Sequence, residues 1–255
     1  MSNDWGAPQN ELESSLMSAA TDAAARPMFY KVLANAKVLI VPVGEMPTIV
    51  DDVVREPGKL QLAKVAIQGQ LHIPLFSSEA RLPQDTRYLG LAAADLFKMT
   101  QGEHLVLNPG AEYGKVLMPG EIARILDGSI FNPTETFTVK EPTKAMIGQP
   151  KDYPTEFVAA LKRYFATEPL VEKAFLAQHL IVGVHNEPAL LVSILAPEEE
   201  FSRIAGAVGV IAQSTKKAQK AVDIVQFDDR TTSYFANQEP IYSRKKAGLL
   251  GKLFR

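Results

Sequence analysis

The sequence predicts an α+β fold built from two mixed α/β domains in tandem. The chain has 255 residues, which is long for one domain and suits two of roughly 100–150 residues each. Short β-branched runs alternate with amphipathic helical stretches in both halves. Residues 127–144 are rich in glycine, proline and threonine and lack helical periodicity. We therefore place the domain boundary near residues 140–146, with domains at 1–140 and 145–243 and a tail at 244–255.

The N-terminal half begins with a frayed segment that leads into a capped helix. Asn10 is a candidate helix N-cap, with Glu13 three positions on as its capping-box partner. Pro27 suits the first turn of a second helix, and Gln68-Gly69-Gln70 predicts a hairpin turn. A short helix is expected to start at Ser77 or Ser78. The other predicted elements are strands at 38–41, 62–67, 71–76, 88–92, 104–107 and 115–118, and helices at 93–100 and 119–126.

The C-terminal half predicts the order α-β-β-α-β. The predicted elements are helix 154–167, strand 171–177, strand 189–195, helix 197–213 and strand 221–227. Pro197, followed by three glutamates, is typical of a helix N-terminus. The short connection between the two middle strands predicts that they are antiparallel. One arrangement with this order is the ferredoxin-like fold.

Composition excludes several classes of function. The absence of cysteine excludes a disulfide framework, thiolate metal sites and cysteine nucleophiles. The N-terminus lacks the basic start and apolar run of a signal peptide. The longest apolar stretch, residues 204–212, is too short to cross a bilayer. We therefore expect a soluble, cytoplasmic protein.

The last twelve residues differ in charge from the rest of the chain. They carry five basic residues and no acid, so a tail of +5 follows a body of −7, and the net charge is −2. An acidic body argues against nucleic acid as a partner, because phosphate binding needs a basic surface. The candidate interaction residues of this tail are Arg244, Lys245, Lys246, Leu249, Leu250, Lys252, Leu253 and Phe254.

The apolar residues of the tail recur at helical spacing, and most of its basic residues fall on the opposite arc. Such a segment suits an anionic membrane surface or a groove on a partner protein. Gly248 and Gly251 weaken a helix there. The alternative is a solubilising terminus, or one that folds back on the acidic body.

No motif in the chain specifies a reaction. The segment 110–115 lacks the glycine spacing of a phosphate-binding loop and predicts a hairpin turn. The glycines at 206 and 209 lie inside a helical run, where they favour close helix packing. Asp228 and Asp229 indicate a solvated turn. We expect no catalytic residue and no cofactor.

The histidines do not form a recognisable metal or catalytic motif. His179, His185 and Glu187 surround the turn between the two middle strands of the C-terminal half, but a flexible connection presents metal ligands poorly. His72 and His104 lie on separate strand candidates, and no serine occupies a nucleophile elbow. We expect no metal site.

The chain resembles the enhanced serine sensitivity (SseB) family over nearly its full length. The segments that carry the resemblance are 10–13, the Arg26-Pro27 helix junction, 73–78, 96–100, 105–110, 147–150, 171–176 and 222–224. Ser77 stands where threonine is commoner in that family, and the linker is short.

The resemblance implies a bacterial cytoplasmic protein without an established catalytic activity. Together with the missing chemistry, it leads to the hypothesis of a non-enzymatic protein-interaction module whose partner is unknown. Two alternatives remain open. One is a peripheral component attached to a membrane or secretion apparatus through the tail. The other is a small-molecule sensor or enzyme linked to serine or sulfur metabolism.

Overall fold

The structure is a computed structural model with two compact units, Met1–Ile130 (unit 1) and Phe131–Arg255 (unit 2). The boundary predicted near residues 140–146 lies C-terminal to this division between Ile130 and Phe131. The predicted α+β class is confirmed in both units. The structure describes residues 5–44, 49–50, 53–54, 60–131, 145–181, 187–215, 222–229 and 231–244.

Unit 1 combines helices with a mixed sheet. Its helices are α1 (Glu11–Thr21), α2 (Arg26–Asn35), α3 (Ala93–Met99) and α4 (Pro119–Leu126). Its strands are β1 (Lys37–Ile40), β2 (Pro42–Val43), β3 (Ile49–Val50), β4 (Val53–Val54), β5 (Gln61–Leu62), β6 (Val65–Ile67), β7 (Gln70–Phe76), β8 (Leu89–Ala92), β9 (Leu105–Leu107) and β10 (Lys115–Leu117).

The main sheet of unit 1 has the strand order β10-β9-β7-β1-β8, with β6 paired to β7. The predicted hairpin between β6 and β7 is confirmed, and Gln68 and Gly69 at its turn both have positive φ, as a type I′ hairpin turn requires. Strands β7 and β9 are parallel. Because parallel strands end at the same edge of a sheet, the residues that follow β7 and β9 lie close together.

Unit 2 also combines helices with one sheet. Its elements are β11 (Ala145–Gly148), α5 (Thr155–Thr167), β12 (Lys173–Ile181), β13 (Ala189–Leu195), α6 (Glu198–Gln213), β14 (Val222–Gln226) and β15 (Tyr242–Ser243). The sheet runs β11-β12-β13-β14, and β15 pairs with β12. The antiparallel pairing of β12 and β13 is confirmed.

The ferredoxin-like arrangement does not hold for unit 2. Strands β11 to β14 follow one another across the sheet in chain order, and the parallel pair β13 and β14 are direct neighbours joined through α6. A ferredoxin-like sheet instead splits its βαβ units by inserting another strand between the parallel pair. The sequence pattern did not predict β11 or β15, and it ended β12 four residues early.

Alternate residues of β12 divide the sheet of unit 2 into two faces. On one face, Phe165 of helix α5 contacts Tyr242 of β15. The other face carries Phe175, Ala177 and Leu191, and Phe235 packs onto them from a 3-10 turn at Thr232–Phe235.

Candidate functional site

A buried ion pair lies beside the edge of the unit 1 sheet where β7 and β9 end. Glu13, in the first turn of α1, is fully buried. Its carboxylate accepts hydrogen bonds from Arg81, from Nε to Oε1 at 3.1 Å and from Nη2 to Oε2 at 2.7 Å. The Arg81 side chain is only 9% exposed. This two-pronged geometry is the strong form of an arginine–carboxylate pair.

The two serines that follow β7 also donate hydrogen bonds to the Glu13 carboxylate. Ser77 Oγ and Ser78 Oγ donate to Glu13 Oε1 at 2.8 and 2.7 Å. The Asn108 amide, at the end of β9, accepts from the Ser77 backbone N–H at 3.0 Å. Asn108 has φ of 50°, a left-handed conformation that asparagine tolerates better than most residues. We call Glu13, Ser77, Ser78, Arg81 and Asn108 the Glu13 network.

The predicted helix cap positions Glu13 in this network. Asn10 caps α1 by accepting from the Glu13 backbone N–H at 3.0 Å, and its Nδ2 donates to the Ser77 carbonyl at 2.7 Å. The Glu13 carboxylate reaches back to the Gln9 N–H at 2.9 Å, one residue before the cap. The predicted Asn10 cap is therefore confirmed, whereas Glu13 accepts from the N–H of Gln9 and not from that of Asn10, which a capping box would require; both side chains also tie the helix to the sheet.

The hydrogen bonds of the network determine the ionisation of Glu13. Burial alone would raise the pKa of its carboxyl, but hydrogen bonds from Arg81, Ser78, the Gln9 amide and Ser77 outweigh burial and lower the pKa to about 2. Glu13 is therefore a carboxylate at neutral pH. Its charge is balanced by Arg81, which leaves neither group available for proton transfer.

A cleft of about 760 Å³, lined mainly by apolar side chains, borders the network in unit 1. We call it the Trp5 cleft. Its wall includes Trp5, Phe76 and the Arg81 side chain, together with the prolines Pro74, Pro83 and Pro109. The Arg81 guanidinium carbon lies 3.7 Å from the centre of a Trp5 ring, and Nη1 donates to the Trp5 carbonyl at 2.8 Å. The network therefore fixes one wall of the cleft.

A second cleft, of about 690 Å³, is lined on one side by Ser77 and Ser78. Its wall includes Lys31 and Lys37, whose side chains are exposed, and apolar residues such as Met28 and Leu39. The charged groups of the two walls differ: Arg81, paired with Glu13, lies in the wall of the Trp5 cleft, whereas the second cleft has two lysines and the two glutamates Glu11 and Glu79.

In unit 2, aromatic rings pack against one face of the sheet. Phe175 and Phe227 stack with ring centroids 4.7 Å apart, and Phe235 lies 5.3 Å from Phe175. We call these three residues the aromatic cluster. Ser193, on the central strand, is fully buried, and its hydroxyl has no hydrogen-bond partner in the part of the chain that the structure describes.

The structure corrects the placement of His179. The sequence placed it at the turn, but it lies within β12, and its Nε2 is 2.6 Å from Asp223 Oδ2 on β14. Strand β13 runs between them and presents the small Ala189 opposite His179, which leaves room for the contact. Of the other two predicted candidates, Glu187 is exposed and His185 lies outside the described residues. No group of three metal-binding side chains occurs among the residues described.

The other motifs have structural roles. The segment 110–115 forms the turn between β9 and β10, as predicted. Gly206 lies in α6, where an added Cβ would be 1.1 Å from the Phe131 carbonyl oxygen, so close packing requires glycine there. Asp228 exchanges hydrogen bonds with Thr231 in a turn. His72 and His104 are neighbours, with ring centroids 5.5 Å apart.

Of the candidate tail residues, Arg244 is described and belongs to the body of unit 2. Its backbone N–H donates to Glu172 at 2.8 Å, its Nε donates to the Val171 carbonyl at 3.0 Å, and its Nη2 donates to the Glu168 carbonyl. The others, Lys245, Lys246, Leu249, Leu250, Lys252, Leu253 and Phe254, lie outside the described residues.

The Glu13 network was not predicted as a unit, although most of its members were singled out. Glu13, Ser77, Ser78 and Asn108 fall in three of the segments that carry the family resemblance, and the fold brings these segments together. Their joint polar character in otherwise apolar surroundings is the signal that could have pointed to a common site. Arg81 carried no local signal.

Fold and site together define a two-domain α+β protein that has the Glu13 network and the Trp5 cleft in its first domain. The model of the SseB protein N-terminal domain matches residues 12–124, and that of the SseB protein C-terminal domain matches residues 139–244. The chain belongs to the SseB family. It is 29% identical over 252 residues to Protein SseB of Escherichia coli (strain K12) and of Shigella flexneri, with 95% of each chain covered. No solved structure matched.

Proposed function

We propose that this SseB-family protein is a non-enzymatic, cytoplasmic interaction module that binds a partner protein through the Trp5 cleft of unit 1. The observation that carries the proposal is the cleft itself, about 760 Å³ in volume with an apolar wall held by the Glu13 network. Binding sites for apolar groups have this size and character.

The chemistry of the polar groups supports binding rather than catalysis. A general acid or base needs a pKa near the working pH and a free path to the reacting atom. Glu13 has a pKa of about 2 and is enclosed by its donors. Arg81 uses Nε, Nη1 and Nη2 within the network and the Trp5 carbonyl. These groups serve as scaffold for the cleft wall.

The test is partner capture by the full-length protein with a matched pair of variants. Ala66 lines the cleft and is exposed, so Ala66→Glu places a charge in the cleft without disturbing buried groups. Ala236 is exposed in unit 2, outside the cleft, and Ala236→Glu is the control. From a lysate of the native host, the wild type and Ala236→Glu should retain one or more proteins that Ala66→Glu loses. If all three retain the same set, the cleft is not the binding surface.

A second candidate is peripheral attachment to a membrane or secretion apparatus through the tail. It is favoured by the four basic residues that follow Arg244, since the contacts of Arg244 join the start of the tail to unit 2. Basic residues near an anionic surface contribute about 1 kcal/mol each. Flotation with anionic vesicles should then depend on residues 245–255. Equal flotation of the full chain and a chain ending at Arg244 would exclude membrane attachment by the tail.

A further inference from the structure

Two histidines lie side by side in the sheet of unit 1, where β9 begins next to β7. The Ile73 backbone N–H donates to the His104 carbonyl at 2.8 Å, and Ile73 is the register partner of Leu105. His72 and His104, each one residue earlier, are therefore in register and point to the same face of the sheet. Their ring centroids are 5.5 Å apart, with an angle of 73° between the ring planes. We call these two residues the histidine pair.

The hydrogen bond of His72 determines which of its nitrogens can be a ligand. Its Nδ1 is 2.9 Å from the Gln70 carbonyl oxygen. Because a carbonyl oxygen only accepts, Nδ1 of the neutral ring carries the hydrogen and Nε2 carries the lone pair. Metal-binding histidines are commonly oriented in this way, with one ring N–H donated to a carbonyl or carboxylate and the other nitrogen on the metal.

The other nitrogens of the pair have no partner and keep contact with solvent. His72 Nε2 and both ring nitrogens of His104 have no hydrogen bond among the described residues. His72 is 4% exposed and His104 is half-buried. In the described part of the chain, the side-chain atoms that are shielded from water without a partner include no nitrogen of either ring. An ion can therefore reach these nitrogens without breaking a hydrogen bond of the protein.

The separation of the two rings suits one shared ion. Zinc binds an imidazole nitrogen at about 2.0–2.1 Å, which places the ion about 3.2 Å from the ring centre. Two imidazoles that share an ion in tetrahedral or trigonal geometry therefore have ring centroids about 5–5.5 Å apart. The histidine pair, at 5.5 Å, meets this requirement.

The ligand set restricts the class of ion. Imidazole nitrogen favours zinc, copper and nickel, whereas magnesium and calcium prefer oxygen ligands. The pair supplies two ligands, and no third metal-binding side chain joins it among the residues described. Next to the pair in the chain and in the sheet, Lys64 and Glu103 are bonded to each other at 2.9 Å, so their charges balance. Water or an external ligand group would fill the other coordination positions of the ion.

We propose that the histidine pair binds one divalent transition-metal ion of the zinc and copper class through His72 Nε2 and one ring nitrogen of His104. The site is open, because the protein fills two of its coordination positions. It goes beyond the proposed function and does not depend on the Trp5 cleft. The ion joins β7 to β9, so it should also stabilise unit 1, since a ligand that binds only the folded state shifts the unfolding equilibrium.

The experiment titrates the full-length protein, freed of metal and without a histidine tag, with Zn²⁺ in a non-coordinating buffer by isothermal titration calorimetry. The variants are His72→Gln, His104→Gln and the double variant. His185→Gln is the matched control, since it removes a histidine from unit 2. Urea unfolding followed by the fluorescence of Trp5, the single tryptophan, verifies that each variant is folded.

We expect the wild type and His185→Gln to bind one Zn²⁺ per chain, and excess Mg²⁺ not to compete. Each single variant at the pair should bind at least about tenfold more weakly, since loss of even an outer partner of a metal ligand has an effect of that size. The double variant should be little weaker than either single variant, because each substitution alone breaks the chelate.

Copper provides a readout that a structural role of the histidines would not move. The electron paramagnetic resonance spectrum of the Cu²⁺-loaded wild type should show coupling to imidazole nitrogens that the double variant lacks. Zn²⁺ should raise the urea midpoint of the wild type and not that of the double variant. A wild type that binds no Zn²⁺, or a double variant that binds it equally well, would show that the two rings only pack against each other. Loss of binding in His185→Gln alone would place the metal site elsewhere and would equally overturn the inference.

Discussion

Units 1 and 2 hold segments against their sheets by opposite means. In unit 1, α1 and the Trp5 region are attached through ionic and hydroxyl hydrogen bonds centred on Glu13. In unit 2, the segment carrying Phe235 is attached through ring contacts with Phe175 and Phe227. The polar attachment is directional and depends on charge, whereas the apolar one depends on buried area.

This difference shows how each unit should respond to perturbation. A buried ion pair is stable as a pair, and loss of one partner leaves the other charged and unsolvated. A ring cluster loses packing roughly in proportion to the volume removed. The polar attachment in unit 1 also fixes a cleft wall, and Trp5 is positioned by the same arginine that neutralises Glu13.

The largest effect is expected for Glu13→Gln, which keeps the shape of the side chain and removes its charge. Arg81 would then be buried without a counterion, and we expect a loss of about 3–5 kcal/mol in the free energy of unfolding of unit 1. Urea unfolding followed by Trp5 fluorescence measures it, since Trp5 is the single tryptophan and is buried in unit 1.

Glu11→Gln is the matched control, because Glu11 is exposed in the same turn of α1. It should change stability by less than about 0.5 kcal/mol. Replacing Glu13 and Arg81 together by leucine and methionine should be less damaging than Glu13→Gln alone. Equal stability of the Glu13→Gln and Glu11→Gln variants would refute the role given to the ion pair.

The next effect concerns the aromatic cluster. Phe235→Ala removes a ring that is buried against the unit 2 sheet and should cost about 3 kcal/mol. Hydrogen exchange in β12 and β13 should become faster, which mass spectrometry of the corresponding peptides measures. Tyr234→Ala is the control, since Tyr234 is 48% exposed, and it should leave exchange unchanged. If both variants exchange alike, Phe235 does not hold this segment to the sheet.

Acid should destabilise unit 1 through Glu13. The folded-state pKa of Glu13 is about 2, below the ordinary value of 4.5, so its contribution is complete above pH 4.5 and is lost as the pH falls towards 2. Between pH 7 and pH 3 the loss should be about 2 kcal/mol. Trp5-detected unfolding at both pH values should show the gap between wild type and Glu13→Gln narrowing by that amount. A gap that is independent of pH would contradict the assigned pKa.

Local patterns were sufficient to predict most of the regular elements. The Asn10 cap, the turn at Gln68-Gly69 and strand 189–195 depend on the residues within each element, and the structure has all three. Strand β12 extends four residues beyond its predicted end because residues 178–181 pair with β11, and β11 was not predicted. Strand length there depends on a neighbour, which local sequence does not encode.

The candidate site was less predictable for the same reason. The local sequence predicts only a capping-box role for Glu13. Nothing near Glu13 in the sequence indicates its partner Arg81, which is 68 residues away. The ferredoxin-like option failed likewise, because element order does not determine which strands become neighbours. Contacts between residues far apart in the sequence determine both the Glu13–Arg81 pairing and the order of the strands.

The smallest expected effect compares one substitution in the two units. Ser77→Ala in unit 1 removes a hydroxyl that donates to Glu13, and it should cost about 1 kcal/mol. Ser193→Ala in unit 2 removes a buried hydroxyl without a partner among the described residues, and it should stabilise unit 2 by about 1 kcal/mol. Trp5-detected unfolding measures the first, and hydrogen exchange in β13 measures the second. The two changes in stability should have opposite signs, because the Ser77 hydroxyl belongs to a polar attachment and the Ser193 hydroxyl lies in an apolar one. If both variants are destabilised alike, the Ser193 hydroxyl contributes to the fold, and the packing on that face of unit 2 is not purely apolar.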